Sequence, residues 1–229
     1  MATRPLIRHA ALRAQVVRTC RRLWECGLIA GPDGNVSVRI APDRILVTPA
    51  GRSKVDVGPG DLVEMRLDGT VVGKGRHPSS EVEVHLAAYR VRADVHAVVH
   101  AHPPTATGFA VAGEGLTTPT LPELILQVGT VPLIPYETPG SARLAERCAE
   151  AFLDHEAVLL ANHGAVTLGA SLEIAHQRME SVEHVARILL TARLLGRVTE
   201  LTTAQMAALV DSAAGRAARR GAPSPRRTT

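Results

Sequence analysis

The sequence predicts an α/β fold in which a largely antiparallel sheet is flanked by helices. Short apolar or alternating segments, broken by proline and glycine, occur between residues 35 and 75 and again between residues 95 and 169, and they are typical of strands. Longer segments with apolar residues three or four positions apart precede, separate and follow them, as is typical of helices. Because many of the predicted strands follow one another closely, we expect antiparallel pairing with helices packed against the sheet.

The first half of the chain begins with a helical segment and continues into strands. Apolar residues recur at helical spacing from Leu12 to Trp24, which predicts an amphipathic helix ending at Gly27. Three segments then predict three or four antiparallel strands: "NVSVRI", "RILVTPA" and "DLVEMRLDGTVVGKG". The last of these contains Asp68–Gly69, which is a hairpin signal. A helix follows in "SSEVEVHLAAYRVR".

The second half of the chain alternates strands and helices. Strands are predicted in "VHAVVHA", "VPLIPYE" and, around a tight turn, "AVLLANHGAVTLG". Helices are predicted in "PTATGFAVAG", "SARLAERCAEAFL" and the long amphipathic segment 171–196. Because we find neither an internal repeat nor an interior linker, we expect a single domain over residues 1–218. The remaining residues 219–229, rich in Pro, Arg and Ser, are expected to form a disordered basic tail.

The composition excludes several classes of protein. The net charge of +4 comes from the C-terminal end, where five arginines lie in the last fourteen residues, and the few aromatic residues argue against nucleic-acid binding. No segment approaches the roughly 20 apolar residues that span a bilayer. Three cysteines without C-x-x-C spacing argue against a disulfide framework and a thiolate zinc site, and fit a reducing cytoplasm. We therefore expect a cytoplasmic protein without membrane or nucleic-acid partners.

Histidines at two predicted strand ends are the first candidates for chemistry. His100 and His102 are two positions apart, so that on a strand both side chains point to the same face and could share one metal ion. Taken alone this pair is weak evidence, because strand ends often hold a histidine with a structural role. His163 follows another apolar segment and could supply a third nitrogen, as in catalytic zinc sites.

The stretch "HPSSEVEVH" and two glycine-containing loops are the second group of candidates. Ser79 and Ser80 stand where a helix begins, and they could bind an anion there or one of them could simply be the N-cap. Glu81 could complement the helix dipole or act as a catalytic carboxylate near the metal. Asn35 and Gly51 lie in loops where the backbone can approach a ligand closely, although ordinary turns look the same.

Five segments, in this order, carry a resemblance to a known family: "GNVSVR", "VTPAG", "PSSEVEVHLAAYR", "AVVHAHPP" and "LLANHGAVTLG". Together they resemble the class II aldolase and adducin family, most closely its fuculose-1-phosphate aldolase branch, over residues 8–200. The resemblance implies a three-layer fold with a central sheet and a homotetramer with active sites at subunit interfaces. It also implies one divalent ion per subunit, zinc in the first place, with manganese and cobalt as alternatives.

The resemblance also assigns roles to individual residues. The metal ligands fall on His100, His102 and His163, and the acid/base falls on Glu81. The substrate and phosphate site falls on four residues: Asn35, Gly51, Ser79 and Ser80. The implied substrate is a small sugar phosphate, and the implied reaction is reversible cleavage of a ketose 1-phosphate to dihydroxyacetone phosphate and an aldehyde. Three neutral histidines would leave the ion its full positive charge, and Glu81 would protonate the resulting enediolate.

The sequence departs from the fuculose-1-phosphate aldolase pattern at the aldehyde end of the substrate. Ala50 stands where a serine or threonine is usual, and the loop and the C-terminal region that carry tyrosines in that enzyme have none here. Glu123 lies near the first of those tyrosine positions. The triose-phosphate half of the site is intact, so a less polar substrate is favoured, such as a 5-deoxy- or 5-methylthio-pentulose 1-phosphate.

Other activities of the same superfamily remain as alternatives. Ribulose-phosphate 4-epimerases tend to carry aspartate at the position of Glu81, whereas methylthioribulose-phosphate dehydratases have a catalytic glutamate near the position of Glu123. Decarboxylases of aromatic or sugar acids are a third alternative. A non-catalytic adducin-like interaction module would require loss of the metal ligands, and all three are present.

Overall fold

Seven strands form a single sheet in the computed structural model, which describes residues 9–73 and 75–221. They are β1 (Asn35–Ala41), β2 (Arg44–Val47), β3 (Val63–Arg66), β4 (Ala97–Ala101), β5 (Leu133–Ile134), β6 (Ala157–Leu160) and β7 (Gly164–Gly169). Their order across the sheet is β3-β2-β1-β4-β7-β6-β5. Every neighbouring pair is antiparallel except β5 with β6. The prediction of an α/β fold with a largely antiparallel central sheet is confirmed.

Helices cover both faces of this sheet. They are α1 (Ala10–Glu25), α2 (Val82–Val91), α3 (Pro104–Val111), α4 (Pro122–Gln127), α5 (Ala142–Phe152), α6 (Leu172–Leu194) and α7 (Thr203–Gly221). The apolar side chains of α1, α3, α4 and α6 form one core with one face of the sheet. Those of α2 and α5 form a second core with the other face. The fold therefore has three layers, as the sequence resemblance implies.

The central strand β4 shows how one segment serves both cores. Alternate side chains of a strand point to opposite faces of the sheet. Ala97, Val99 and Ala101 lie in the core beneath α1, α3 and α6, whereas Val98 lies in the core beneath α2 and α5. By the same alternation His100 points to the α2 side. His100 is thus the one polar residue of β4, and it lies on the face where α2 begins.

The start of α2 differs from the sequence prediction. Ser79 and Ser80 are the predicted N-cap candidates, but Glu81 occupies the cap position, and its side chain makes no capping hydrogen bond. The reason is a tight backbone turn, in which the amide of Val82 donates to the carbonyl oxygen of Ser79 at 3.1 Å. The hydroxyl of Ser79 accepts a long hydrogen bond, 3.4 Å, from the amide of Glu81, so it lies one turn before the helix and not at its cap position.

Three further features lie outside what the sequence predicts. The short helix α4, the final helix α7 and the parallel pairing of β5 with β6 have no counterpart among the predicted elements. The predicted tail begins at residue 219, yet residues 219–221 continue α7, and residues 222–229 lie outside the described residues. The division into one domain and a tail stays a prediction. Within the described part of the chain, no helix combines the length and the hydropathy needed to cross a membrane.

Candidate metal centre

Three histidine rings meet at one end of the central strands. His100 lies in β4 opposite Asn35 of β1 and Val166 of β7, His102 follows that strand, and His163 lies in the turn between β6 and β7. The ring centroids are 4.8–5.1 Å apart, and the ring planes are inclined by 66–68° to one another. One ligand nitrogen from each ring lies within 4.8 Å of the other two. The structure thus brings the three predicted ligands together.

Local backbone features aim these rings at a common point. Asn162 has a left-handed conformation (φ 55°), and the amide of His163 donates to the carbonyl oxygen of Leu160, which closes a tight turn between β6 and β7. Gly164 then packs against the end of β4. A Cβ atom at this position would lie 2.5 Å from the carbonyl oxygen of Ala101 and 2.6 Å from Cδ2 of His102. Only glycine allows the two strand ends to approach this closely.

The nitrogens have the arrangement that a divalent ion requires. Nδ1 of His100 lies 2.9 Å from the carbonyl oxygen of Ala165, which can only accept, so this nitrogen carries a proton and Nε2 is the nitrogen that faces the cluster. Nε2 of His100 lies 3.2 Å from Nε2 of His102. Two nitrogens on one tetrahedral zinc, each at about 2.0–2.1 Å from the ion, are separated by about 3.3 Å. The His100–His102 pair therefore has the spacing of two ligands of one divalent ion.

The electrostatic environment also favours a bound cation. Burial, together with the charges of His100 and His163, lowers the pKa of His102 to about 4, so its ring is neutral at pH 7 and able to bind a metal. The carboxylate of Glu81 is buried beside these rings, with its Oε1 2.9 Å from Nε2 of His163. A bound cation next to it would offset the cost of burying the negative charge.

Glu81 stands between two of the histidines. Its Oε2 lies 3.3 Å from Nε2 of His100, and its Oε1 lies 2.9 Å from Nε2 of His163. Burial opposes ionisation of this carboxyl group, but the hydrogen bonds and charges of His100 and His163 outweigh burial and hold the pKa of Glu81 well below its usual value. A negatively charged carboxylate therefore faces the place where a metal and its substrate would meet.

A buried chain of hydrogen bonds leads away from Glu81 beneath α2. Nδ2 of Asn35 donates to Oε2 of Glu81 at 3.2 Å, and Oδ1 of Asn35 is close to Nε2 of His85. Nδ1 of His85 lies 2.6 Å from the hydroxyl oxygen of Ser37, which lies 2.8 Å from the hydroxyl oxygen of Tyr89. Because Oδ1 of Asn35 can only accept, His85 donates from Nε2 and accepts from Ser37 at Nδ1.

This chain fixes the orientation of the Asn35 amide. Burial, reinforced by the charge of His100, lowers the pKa of His85 to about 3, so the ring is neutral and keeps one tautomer. Along the chain, Tyr89 donates to Ser37, Ser37 to His85 and His85 to Asn35. The amide NH₂ of Asn35 is therefore the group that faces the Glu81 carboxylate. Ser37, His85 and Tyr89 are not among the predicted site residues, because their contacts join β1 to α2 and leave no periodic signal in the sequence.

A cavity of about 260 Å³ opens beside the metal cluster. Glu81 and His102 lie in its wall. The wall also contains all four residues of the predicted phosphate site, which are Asn35, Gly51, Ser79 and Ser80. Two further residues of this wall were not predicted. Lys54 is buried there, and Oδ2 of Asp33 lies 3.6 Å from Nδ1 of His102. Both lie in polar loops, where sequence patterns indicate exposure rather than a site.

Glu123 lies elsewhere in the chain. It is an exposed residue in the first turn of α4 and lines a separate cavity of about 640 Å³ on the α6 surface, together with Gln177 and His184. Neither the three histidines nor Glu81 line that cavity. Within one chain, Glu123 is therefore not part of the candidate metal centre.

Comparison with known proteins agrees with this site. The family model "Class II Aldolase and Adducin N-terminal domain" matches residues 14–190. The chain belongs to this family. A 3-oxo-tetronate 4-phosphate decarboxylase of Escherichia coli is 36% identical over 78% of this chain and 86% of its own length. A 5-deoxy-D-ribulose 1-phosphate aldolase of Bacillus thuringiensis is 34% identical over 80% of this chain and 86% of its own length.

A solved structure of a family member has the same fold. It is an L-fuculose 1-phosphate aldolase with 30% sequence identity and a TM-score of 0.84, and the match covers 91% of this chain and 98% of the other. The resemblance to the fuculose-1-phosphate aldolase branch is therefore confirmed. Because the relatives include both aldolases and a decarboxylase, membership of the family does not by itself fix the reaction.

Replacing Gly164 by alanine is expected to weaken metal binding. The added methyl group must displace the end of β4 or the His102 ring, and changes that misorient a ligand cost about 10- to 100-fold in metal affinity. Zinc titration of the purified variants measures this. Gly108→Ala is the control, because a Cβ there meets nothing within 4 Å. Equal zinc affinity in Gly164→Ala and the wild type would contradict this account of the turn.

Replacing Ser37 by alanine is expected to destabilise the fold. It leaves Nδ1 of His85 and the hydroxyl of Tyr89 without the Ser37 oxygen in a buried site, a loss of about 1–3 kcal/mol in the free energy of unfolding. Urea denaturation measures this loss. The control is Ser181→Ala, which removes an exposed hydroxyl and should change stability by less than about 0.5 kcal/mol. Similar stabilities of the two variants would show that the chain of hydrogen bonds is not needed.

Proposed function

We propose that the protein is a metal-dependent aldolase that reversibly cleaves a ketose 1-phosphate to dihydroxyacetone phosphate and an aldehyde. The observation that carries this proposal is the convergence of three histidines and one carboxylate beside a cavity lined by hydroxyl groups and a buried cation. A metal site next to an anion site suits a substrate that has a carbonyl group and a phosphate.

In this proposal His100, His102 and His163 hold one divalent ion per chain. Nitrogen ligands favour zinc, with manganese or cobalt as alternatives. When bound, the ion would polarise the substrate carbonyl and stabilise the negative charge that develops as the carbon–carbon bond breaks. Three side-chain ligands would leave the ion able to bind the substrate as well, and Glu81 lies beside two of these ligands, 3.3 Å from His100 and 2.9 Å from His163.

Glu81 moves the proton. In the cleavage direction the C4 hydroxyl loses its proton as its oxygen becomes the aldehyde carbonyl, the C3–C4 bond breaks, and the electron pair left on C3 takes up a proton to give dihydroxyacetone phosphate. In the synthetic direction the Glu81 carboxylate removes the same proton. Asn35 holds the carboxylate in place through its amide, while Gly51, Ser79 and Ser80 bind the phosphate through backbone N–H and hydroxyl groups.

The other half of the substrate is proposed to be apolar. Neither tyrosine of this chain is placed to hold a polar aldehyde in the same subunit, since Tyr89 is buried in the hydrogen-bond chain and Tyr136 is 60% exposed on a loop. A 5-deoxy- or 5-methylthio-pentulose 1-phosphate suits such a site. The relative named 5-deoxy-D-ribulose 1-phosphate aldolase supports this choice.

The second candidate is decarboxylation, which the relative with 36% identity supports. Loss of the carboxyl group from a four-carbon 3-oxo acid 4-phosphate leaves the same three-carbon fragment that aldol cleavage produces. Both reactions therefore need a polarised carbonyl, a bound phosphate and one proton donor at the carbon that loses its substituent. They differ only in the leaving group, which is an aldehyde in one case and carbon dioxide in the other.

Three further expectations belong to this proposal. We propose a homotetramer with active sites at the subunit interfaces. We also propose a cytoplasmic enzyme, consistent with the three free cysteines. A non-catalytic adducin-like module is disfavoured because all three histidines are present and converge.

The test is a panel of substrates with both products measured. We expect release of dihydroxyacetone phosphate together with an aldehyde from 5-deoxy-ribulose 1-phosphate or a related ketose 1-phosphate. The matching probe for the rival reaction is 3-oxo-tetronate 4-phosphate. Because both substrates yield the same triose phosphate, the second product decides between them. Carbon dioxide without any aldehyde would replace the aldolase by a decarboxylase, and loss of water alone would indicate a dehydratase.

A further inference from the structure

Lys54 is a buried lysine with unusual surroundings. It opens a short 3-10 turn, Lys54–Asp56, and only 3% of its surface is exposed. Its Nζ donates to the carbonyl oxygens of Pro32 at 2.6 Å and of Arg52 at 2.9 Å. An ammonium group has three N–H donors, so these two bonds leave one donor for another acceptor.

No carboxylate contacts the charge of Lys54 directly. Among the described residues, no carboxylate oxygen lies within 4.0 Å of its Nζ. The two acidic residues of the cavity wall contact histidines instead, Asp33 at His102 and Glu81 at His100 and His163. Burial lowers the pKa of the Lys54 ammonium below its usual value, although the charges of Asp33 and Glu81 act in the opposite direction. A buried ammonium that no carboxylate contacts is costly, which favours direct binding of an anion.

The cavity beside the metal cluster is the place where an anion could contact Lys54. Among the residues that the structure describes, Lys54 is the only lysine or arginine in its wall, and it stands there with Ser79, Ser80 and Gly51. Ala50 brings no hydroxyl to this loop. Lys54 is therefore the cationic side chain that stands among the hydroxyl and backbone groups of the anion cavity.

We propose that Lys54 is a specificity-determining residue that supplies the counter-charge for the substrate phosphate. Its ammonium binds a phosphate oxygen directly while the two carbonyl groups hold it in position. This inference rests on the proposed function for the identity of the substrate, but the anion site itself does not depend on turnover. The site takes a phosphate monoester and discriminates against the unphosphorylated sugar.

The test uses inorganic phosphate as the probe and measures its binding calorimetrically to the zinc-loaded protein. Replacing Lys54 by methionine keeps the length of the side chain and removes the charge. We expect phosphate affinity to fall about 10- to 100-fold, the usual effect of losing a charge-assisted hydrogen bond. Lys54→Arg keeps the charge and should retain more of the affinity than Lys54→Met.

Arg76→Met is the matched control. It also removes one positive charge, but the Arg76 guanidinium pairs with Asp61 and does not line the cavity. We expect its phosphate affinity to stay close to that of the wild type. Equal phosphate affinities in folded Lys54→Met and the wild type, with equal zinc content, would overturn the inference. If Lys54→Met does not fold, the Tm of the wild type is measured with and without phosphate. A Tm that phosphate does not raise would also overturn the inference.

The same experiment separates this inference from the proposed function. Phosphate binding that depends on Lys54, found in a protein that releases no dihydroxyacetone phosphate from any substrate, would support the anion site and refute the aldolase. Aldolase activity with a KM for the ketose 1-phosphate that is unchanged by Lys54→Met would refute the role of Lys54 and leave the aldolase intact.

Discussion

The convergence of three imidazoles and one carboxylate is the constraint on which the rest of the site depends. His100, His102 and His163 come from two separate strand ends, and Glu81 comes from the start of a helix. Buried groups this close together repel one another in some protonation states and attract in others. The fold holds them in place by strand pairing, by the left-handed turn at Asn162 and by the absence of a side chain at Gly164.

The groups around this cluster are themselves anchored. Asn35 faces Glu81 because a chain through His85 and Ser37 fixes its amide. On the other side, the buried carboxylate of Glu183 accepts hydrogen bonds from the amides of Thr105 and Ala106, each at 2.9 Å. These amides belong to the first turn of α3, directly after His102. Such support keeps a metal ligand in one orientation, which metal sites generally require.

The sequence predicts those parts of the site that lie within one strand or one motif. The pair His100 and His102 follows from the two-residue period of a strand, whereas the role of His163 needs the family resemblance, since nothing local links it to the other two. Lys54 and His85 could not be predicted as site residues. Each contributes through contacts with distant segments, and a lone lysine in a polar loop or a histidine on a helix usually has no such role.

The same distinction applies to the fold. Strands and long helices with clear periodicity are predicted, but the pairing of β5 with β6 depends on a contact between two segments more than twenty residues apart. The N-cap of α2 is the case where a local rule is wrong, because the turn at Ser79 moves the start of the helix to Glu81. Both serines line the anion cavity, and the hydroxyl of Ser79 also accepts from the amide of Glu81.

Proton exchange at C3 of dihydroxyacetone phosphate tests the central claim most directly. In deuterated water, the zinc-loaded wild type should exchange one C3 hydrogen, and Glu81→Gln should reduce the exchange rate by at least about 100-fold with its zinc content unchanged. Glu83→Gln, which alters an exposed carboxylate of the same helix, should exchange like the wild type. An unchanged rate in Glu81→Gln would show that the carboxylate between the histidines is not the proton carrier.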